Sequence, residues 1–293
     1  AQPASGPPLG GYRSPSRRRV VCVTNTDQAI VAEAPGVRIT ARARGAHLMS
    51  WTTNGVERLW MSPLSHVDQP GALRGGVPVL FPQFGGFGDL PKHGFARTAD
   101  WEQIAAPDEP DHATLAFQLT DTQETRDVWP HEFRARLFIS ASATELTVAL
   151  LIDNPARTPI QFTSGLHNYL AVADPEAWIE GLAGCFAWDG ASTADPAFTL
   201  RVGQHLPALV EQDLVVRGAI APLVLHDAVL ADLRIAARGF SNRVVWNPGP
   251  DHGLPDVAAG DESGFVCIEP VDVRSVVLPG GGAWEGRQRL HLP

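Results

Sequence analysis

Lysine is almost missing from this chain: Lys92 stands alone among 293 residues, and the remaining 22 basic residues are arginines. Cysteine is scarce as well. Cys22, Cys185 and Cys267 are an odd set with no CxxC spacing, which argues against a disulfide scaffold and a structural zinc site and sets a reducing, cytoplasmic environment as the expectation. No apolar run approaches the roughly 18 residues a membrane helix needs. There is no excess of positive charge, since the net charge is −9, and this excludes nonspecific nucleic-acid binding as a main activity. Convincing helical periodicity is absent; the best short candidate lies near 255–260. Neither HxH nor HExxH spacing appears, and no GxSxG elbow, so a zinc hydrolase and a Ser-His-Asp enzyme are both weak readings.

What is present points to strands. With 44% hydrophobic and 19% charged residues, the chain can bury a large core. Alternating or short apolar runs recur at 20–23, 29–32, 37–41, 115–119, 134–140, 145–153, 161–172, 178–181, 214–216, 223–226, 231–236, 243–246, 265–270 and 275–278. Turn signals separate them, among them Asn54-Gly55, Asp189-Gly190 and Pro248-Gly249-Pro250. Many strands at close spacing without intervening helices predict an all-β antiparallel sandwich or barrel. Residues 1–19, rich in Pro, Gly, Ser and Arg, read as a flexible tail, and 20–293 as one domain.

Three segments carry candidate chemistry. The stretch from Arg74 to Arg97, RGGVPVLFPQFGGFGDLPKHGFAR, is too dense in glycine and proline for a helix, while its phenylalanines require burial. It sets Arg74, Lys92, His93 and Arg97 on a pinned apolar loop. The arginine fork matches phosphate oxygens, and the two glycines after Arg74 would let backbone N–H groups approach an anion. In 161–172, alternation puts Gln161, Thr163, Gly165, His167 and Tyr169 on a polar face, with Phe162, Leu166 and Leu170 behind it. In FVCIEP, Glu269 shares a face with Phe265 and Cys267, where a carboxylate tends toward a raised pKa. Of the tryptophans, Trp51, Trp60, Trp101, Trp178, Trp188 and Trp246 are expected mostly in the core.

GAHLMSW (45–51), RGGVPVLFPQFG (74–85), LPKHGFAR (90–97), SGLHNYLAV (164–172), VVWNPG (244–249) and FVCIEP (265–270) occur in the order seen in glucose-6-phosphate 1-epimerases, and over roughly residues 30 to 280 the chain resembles that family of the aldose 1-epimerase superfamily. The resemblance implies the large galactose mutarotase-like β-sandwich. It implies His167 as general acid and Glu269 as general base, Arg74 and Arg97 as phosphate ligands, and His93 in the pocket binding sugar hydroxyls. Asp213 in EQDLVVRG matches a sugar-holding aspartate, although the arginine and tyrosine that follow it in the family are missing here. Gln83 is a further candidate hydroxyl ligand. The implied reaction is exchange of the α and β anomers of a hexose 6-phosphate by ring opening and closure, with one proton taken from the C1 hydroxyl and another given to O5. Unperturbed carboxyl and imidazole groups titrate near ~4.3 and ~6.5, so Glu⁻ with His⁺ is the expected pair between those values. No metal and no cofactor is needed, and a monomer binding only a small sugar phosphate is expected. Two other readings stay open: a noncatalytic sugar-phosphate-binding protein on this fold, and an aldose 1-epimerase of unphosphorylated sugar, against which the cationic loop speaks.

Overall fold

The structure, a computed structural model, describes residues 27–66, 71–190, 200–201, 203, 205–218 and 221–293. The tail expected at 1–19 and the strand expected at 20–23 lie outside these residues. All strand pairings between the three sheets' members are antiparallel. A four-stranded sheet runs in chain order through Ala29–Ala34, Val37–Arg42, His47–Thr53 and Val56–Glu57. In the largest sheet, nine-stranded, Leu233–Arg238, Ala283–His291, Glu145–Asp153, Arg134–Ala141 and Ala113–Thr120 lie side by side.

The eight-stranded sheet carries the site. Across it run Phe186–Asp189, Gln212–Arg217, Asn242–Asn247, Phe265–Leu278, Ile160–Leu166 and Val79–Leu80, and Tyr169–Ala171 also pairs with Phe265–Leu278. One face of this sheet meets the nine-stranded sheet. Phe162, Leu166, Val216, Val245, Val266 and Ile268 share a single hydrophobic cluster with Leu137, Ile139, Val148, Leu150, Ile235 and Leu290. The reason is the two-residue period: in RARLFISA every second residue, Ala135, Leu137, Ile139 and Ala141, is buried. Each such large aliphatic side chain contributes about 1.5–3 kcal/mol through burial.

The structure departs from the sequence reading in five places. Ala283–His291 is a full strand that the apolar pattern hides, because its inward positions are Gly286, Gln288 and Leu290. A Cβ at Gly286 would come within 2.4 Å of both Phe240 and Trp284 rings, so the position must be bare. The expected helix near 255–260 is irregular and leads into a 3-10 turn at Asp261–Gly264. The one α-helix among the described residues is Gln123–Val128, started by a reciprocal cap between Thr122 and Thr125. The runs 265–270 and 275–278 form one 14-residue strand, whereas 161–172 is divided at His167 and Asn168. No helix of the described residues is long and apolar enough to cross a membrane.

Candidate active site

The division at His167 builds the site. Gly165 pairs with Val271 and Tyr169 with Cys267, each in the ladder against Phe265–Leu278. Stepping two residues inward from either pair sets His167 opposite Glu269. The two are therefore cross-strand neighbours, side chains on one face. Between the paired segments the backbone turns away: the His167 N–H donates to Pro78 O and the Asn168 side chain donates to Ile268 O. His167 Nδ1 lies 3.3 Å from Glu269 Oε1, with the side chains 12% and 2% exposed. The contact is out of line for a hydrogen bond, and His167 Nδ1 and Glu269 Oε2 have no hydrogen-bond partner.

Neighbouring rows of the same face shape a bowl around the pair. One row runs Tyr169, Cys267, Trp246, Asp213, and the next runs Glu269, Val244, Val215, Trp188. Tyr169 stacks parallel on His167 at 4.7 Å, Trp246 meets the imidazole edge-on at 5.9 Å, and Trp60 closes against Phe265. Trp51, Trp101 and Trp188 are buried as expected, while Trp60, Trp178 and Trp246 are partly exposed.

The 74–97 loop supplies the rim. Arg74 holds Asp256 through two hydrogen bonds of 3.0 and 3.1 Å and donates to the Tyr169 hydroxyl at 3.0 Å. Asp256 is a site residue the sequence reading missed; it lies 182 positions from Arg74 in an irregular segment with no motif around it. Arg97 donates to Lys92 O and has no acidic partner among the described residues. His93 sits with φ +69, a left-handed backbone uncommon outside glycine. Its Nδ1 accepts from the Gly85 N–H, so the proton of its neutral form is on Nε2, and its ring stands edge-on to His167 at 5.8 Å.

Two polar parts of this loop are engaged within the fold itself. Gln83 braces the loop: its buried amide donates to Gly85 O and Leu90 O and accepts from the Leu90 N–H. Of the two glycines after Arg74, Gly76 has its N–H engaged inside the fold. The Gly76 N–H donates to Trp60 O, and a Cβ there would lie 2.2 Å from Leu48 O, so glycine is required for close packing of backbone on backbone. Likewise a Cβ at Gly94 would lie 2.2 Å from Phe81 O.

Electrostatics also differ from the Glu⁻/His⁺ expectation. Burial, then His93, Arg74 and Arg97, hold His167 well below the usual imidazole range. Burial, then the charge of Asp213, pushes Glu269 well above the usual carboxyl range. Both shifts favour the neutral form of each group. Burial and the cations Arg97, Lys92 and Arg74 bring His93 down to about 3. Burial opposes the charge on Arg74, but Tyr169 and Asp256 more than offset it. Asp213, half-buried, packs its carboxyl on Gly190; its pKa is raised by burial and Asp189 and drawn down by Lys92.

The large antiparallel sandwich is the galactose mutarotase-like fold, and here it carries a buried imidazole–carboxyl pair in an aromatic bowl. The chain belongs to the aldose 1-epimerase family, whose model matches residues 28–291. It is 33% identical over 251 residues to a Salmonella typhimurium protein provisionally named a glucose-6-phosphate 1-epimerase, covering 83% of this chain and 82% of that one. An Escherichia coli protein of the same provisional name is 33% identical over 249 residues, with 82% and 81% covered. Among solved structures, one from Salmonella typhimurium described as a provisional mutarotase superposes with a TM-score of 0.79 at 29% identity, covering 90% and 89%. The Slr1438 protein of Synechocystis shares the fold at 18% identity, with a TM-score of 0.77 and 93% and 99% covered.

Proposed function

We propose that this enzyme interconverts the α and β anomers of a hexose 6-phosphate, glucose 6-phosphate first among them. The observation that carries the reading is the opposed pair, His167 and Glu269, 3.3 Å apart beside a loop bearing Arg97, Lys92 and Arg74. In this reading Glu269 takes the proton of the C1 hydroxyl while His167 gives one to O5; the C1–O5 bond opens to the aldehyde, C1 turns, and the roles reverse on closure. Arg97 is the principal phosphate ligand because no carboxylate among the described residues holds it, and Arg74 contributes the N–H groups that Asp256 and Tyr169 leave. His93 offers Nε2–H to a sugar oxygen, and Asp213 accepts from a hydroxyl. The substrate also prepares its own catalyst. A phosphate dianion beside Arg97 opposes the push of the arginines on His167, which favours moving a proton from carboxyl to imidazole.

The names of the Salmonella and Escherichia relatives support the phosphorylated substrate. The test is NMR saturation transfer between the anomers of glucose 6-phosphate. The native enzyme should exchange them far above the buffer rate, and His167→Asn and Glu269→Gln should each lose about 10²–10⁴-fold. Near-native exchange in either folded variant would end the assignment. Binding of the sugar phosphate with exchange at the buffer rate would favour a noncatalytic binding protein.

A further inference from the structure

Cys267 has no part in the chemistry above, yet it lies directly beside the pair. Its Sγ, a His167 imidazole nitrogen and a Glu269 carboxylate oxygen all lie within 4.8 Å of one another. Thiolate, imidazole and carboxylate are the donor set that zinc(II) takes. We propose that His167, Cys267 and Glu269 form a site for a thiophilic divalent cation, zinc(II) in the first place, and that its occupation inhibits the enzyme.

Four observations carry this. The first is spacing: bonds of about 2.0 Å to nitrogen and oxygen at a tetrahedral angle place two donors about 3.3 Å apart, and His167 Nδ1 and Glu269 Oε1 are 3.3 Å apart. The thiol needs a shift of roughly 1 Å to complete the third corner. Second, the donors are unused. His167 Nδ1 and Glu269 Oε2 are buried with no hydrogen-bond partner, and a contact too bent for a proton suits a cation between the two atoms. Third, the ring is already oriented by its parallel stack on Tyr169 and by Trp246, within an apolar shell of Tyr169, Val257, Phe265 and Cys267 that limits water access. Fourth, zinc bound by one thiolate, one carboxylate and a neutral imidazole carries no net charge, so the cationic rim of Arg74, Arg97 and Lys92 does not repel the occupied site. The donors come from two adjacent rows of the sheet, His167 opposite Glu269 in one and Cys267 in the next, which is why spacing motifs such as HExxH do not register them.

Metal binding rests on geometry alone; inhibition rests on the proposed function. The experiment separates them. Cobalt(II) is titrated into the full chain without sugar, and absorption is followed. Expected are tetrahedral d–d bands and a thiolate-to-cobalt charge-transfer band that saturate at one equivalent and are displaced by zinc. Both bands should vanish in Cys267→Ser and survive in the double variant Cys22→Ser, Cys185→Ser. If Cys267→Ser does not fold, the double variant decides alone, since its only thiol is Cys267. Absence of the charge-transfer band at one equivalent, its loss in the double variant or its survival in Cys267→Ser overturns the site. In a second arm, zinc should slow anomer exchange and a chelator restore it. Cobalt binding without any metal-free exchange would refute the proposed function and leave the site standing; exchange with no cobalt spectrum would do the reverse.

Discussion

At the scale of single residues, the site holds groups in forms that cost the fold something. Glu269 is buried with its pKa raised first by burial. A carboxyl whose folded pKa exceeds its unfolded one stabilises fully only below the unfolded value, and that contribution is lost as pH rises toward the folded pKa. Glu269→Gln, inactive in anomer exchange, should therefore melt higher than the native protein at pH 8, by calorimetry; a lower melting temperature there would contradict the buried, unpartnered carboxyl. His47 shows the opposite sign. Buried behind the loop, it donates from Nε2 to Gly75 O at 2.8 Å, and burial brings it down to about 4 from 6.5. Its unfolded form binds the proton first, so stability falls as pH drops from about 6.5 to 4, by roughly 3 kcal/mol at full extent. His47→Gln keeps a donor and should flatten that acid limb in urea titrations. Arg97→Ala should raise KM for glucose 6-phosphate about 10- to 150-fold, matching about 1.5–3 kcal/mol for a charge-assisted contact, and leave KM for glucose nearly unchanged; equal effects on both sugars would remove Arg97 from the phosphate.

The scale of elements belongs to the 74–97 loop and the strands it crosses. Gly94 has φ +66 and no room for a Cβ against Phe81 O. Gly94→Ala should cost at least about 2 kcal/mol in denaturant unfolding and displace His93 and Arg97 together, so that activity falls in proportion for both phosphate affinity and turnover. Legibility from sequence divides along the same line. Alternation places His167 and Glu269 on faces opposite Leu166 and Leu170 in one segment and Val266 and Ile268 in the other, although the backbone breaks from the strand at His167; the acid and base roles are implied by the family resemblance alone. The bracing role of Gln83 was not legible, because a polar residue in a functional loop looks the same whether it faces a ligand or laces the loop to itself. The Ala283–His291 strand was invisible because Gly286 and Gln288 stand where apolar letters would mark the inside. Asp256 had no pattern at all; only the folded chain brings it to Arg74.

For the whole molecule, the sandwich separates two duties between the faces of one sheet. Phe265, Cys267 and Glu269 face the bowl, while Val266 and Ile268 face the core shared with the nine-stranded sheet. Leu150 belongs to that core from a strand far along the other sheet. Leu150→Ala should destabilise by about 2–5 kcal/mol yet leave KM for the sugar phosphate unchanged at temperatures where the variant is folded. A shifted KM would mean that packing between the sheets reaches the bowl.

The opposition of residues 167 and 269 across one ladder has a wider consequence. The register of two antiparallel strands sets that opposition, once the turned backbone at His167 is held as Pro78 O holds it here. The couple is therefore portable in principle to a small designed hairpin sheet, where slipping either strand by a single residue would point the partners to opposite sides. What such a transplant would lack is the positive rim, which comes from a loop and would have to be engineered separately.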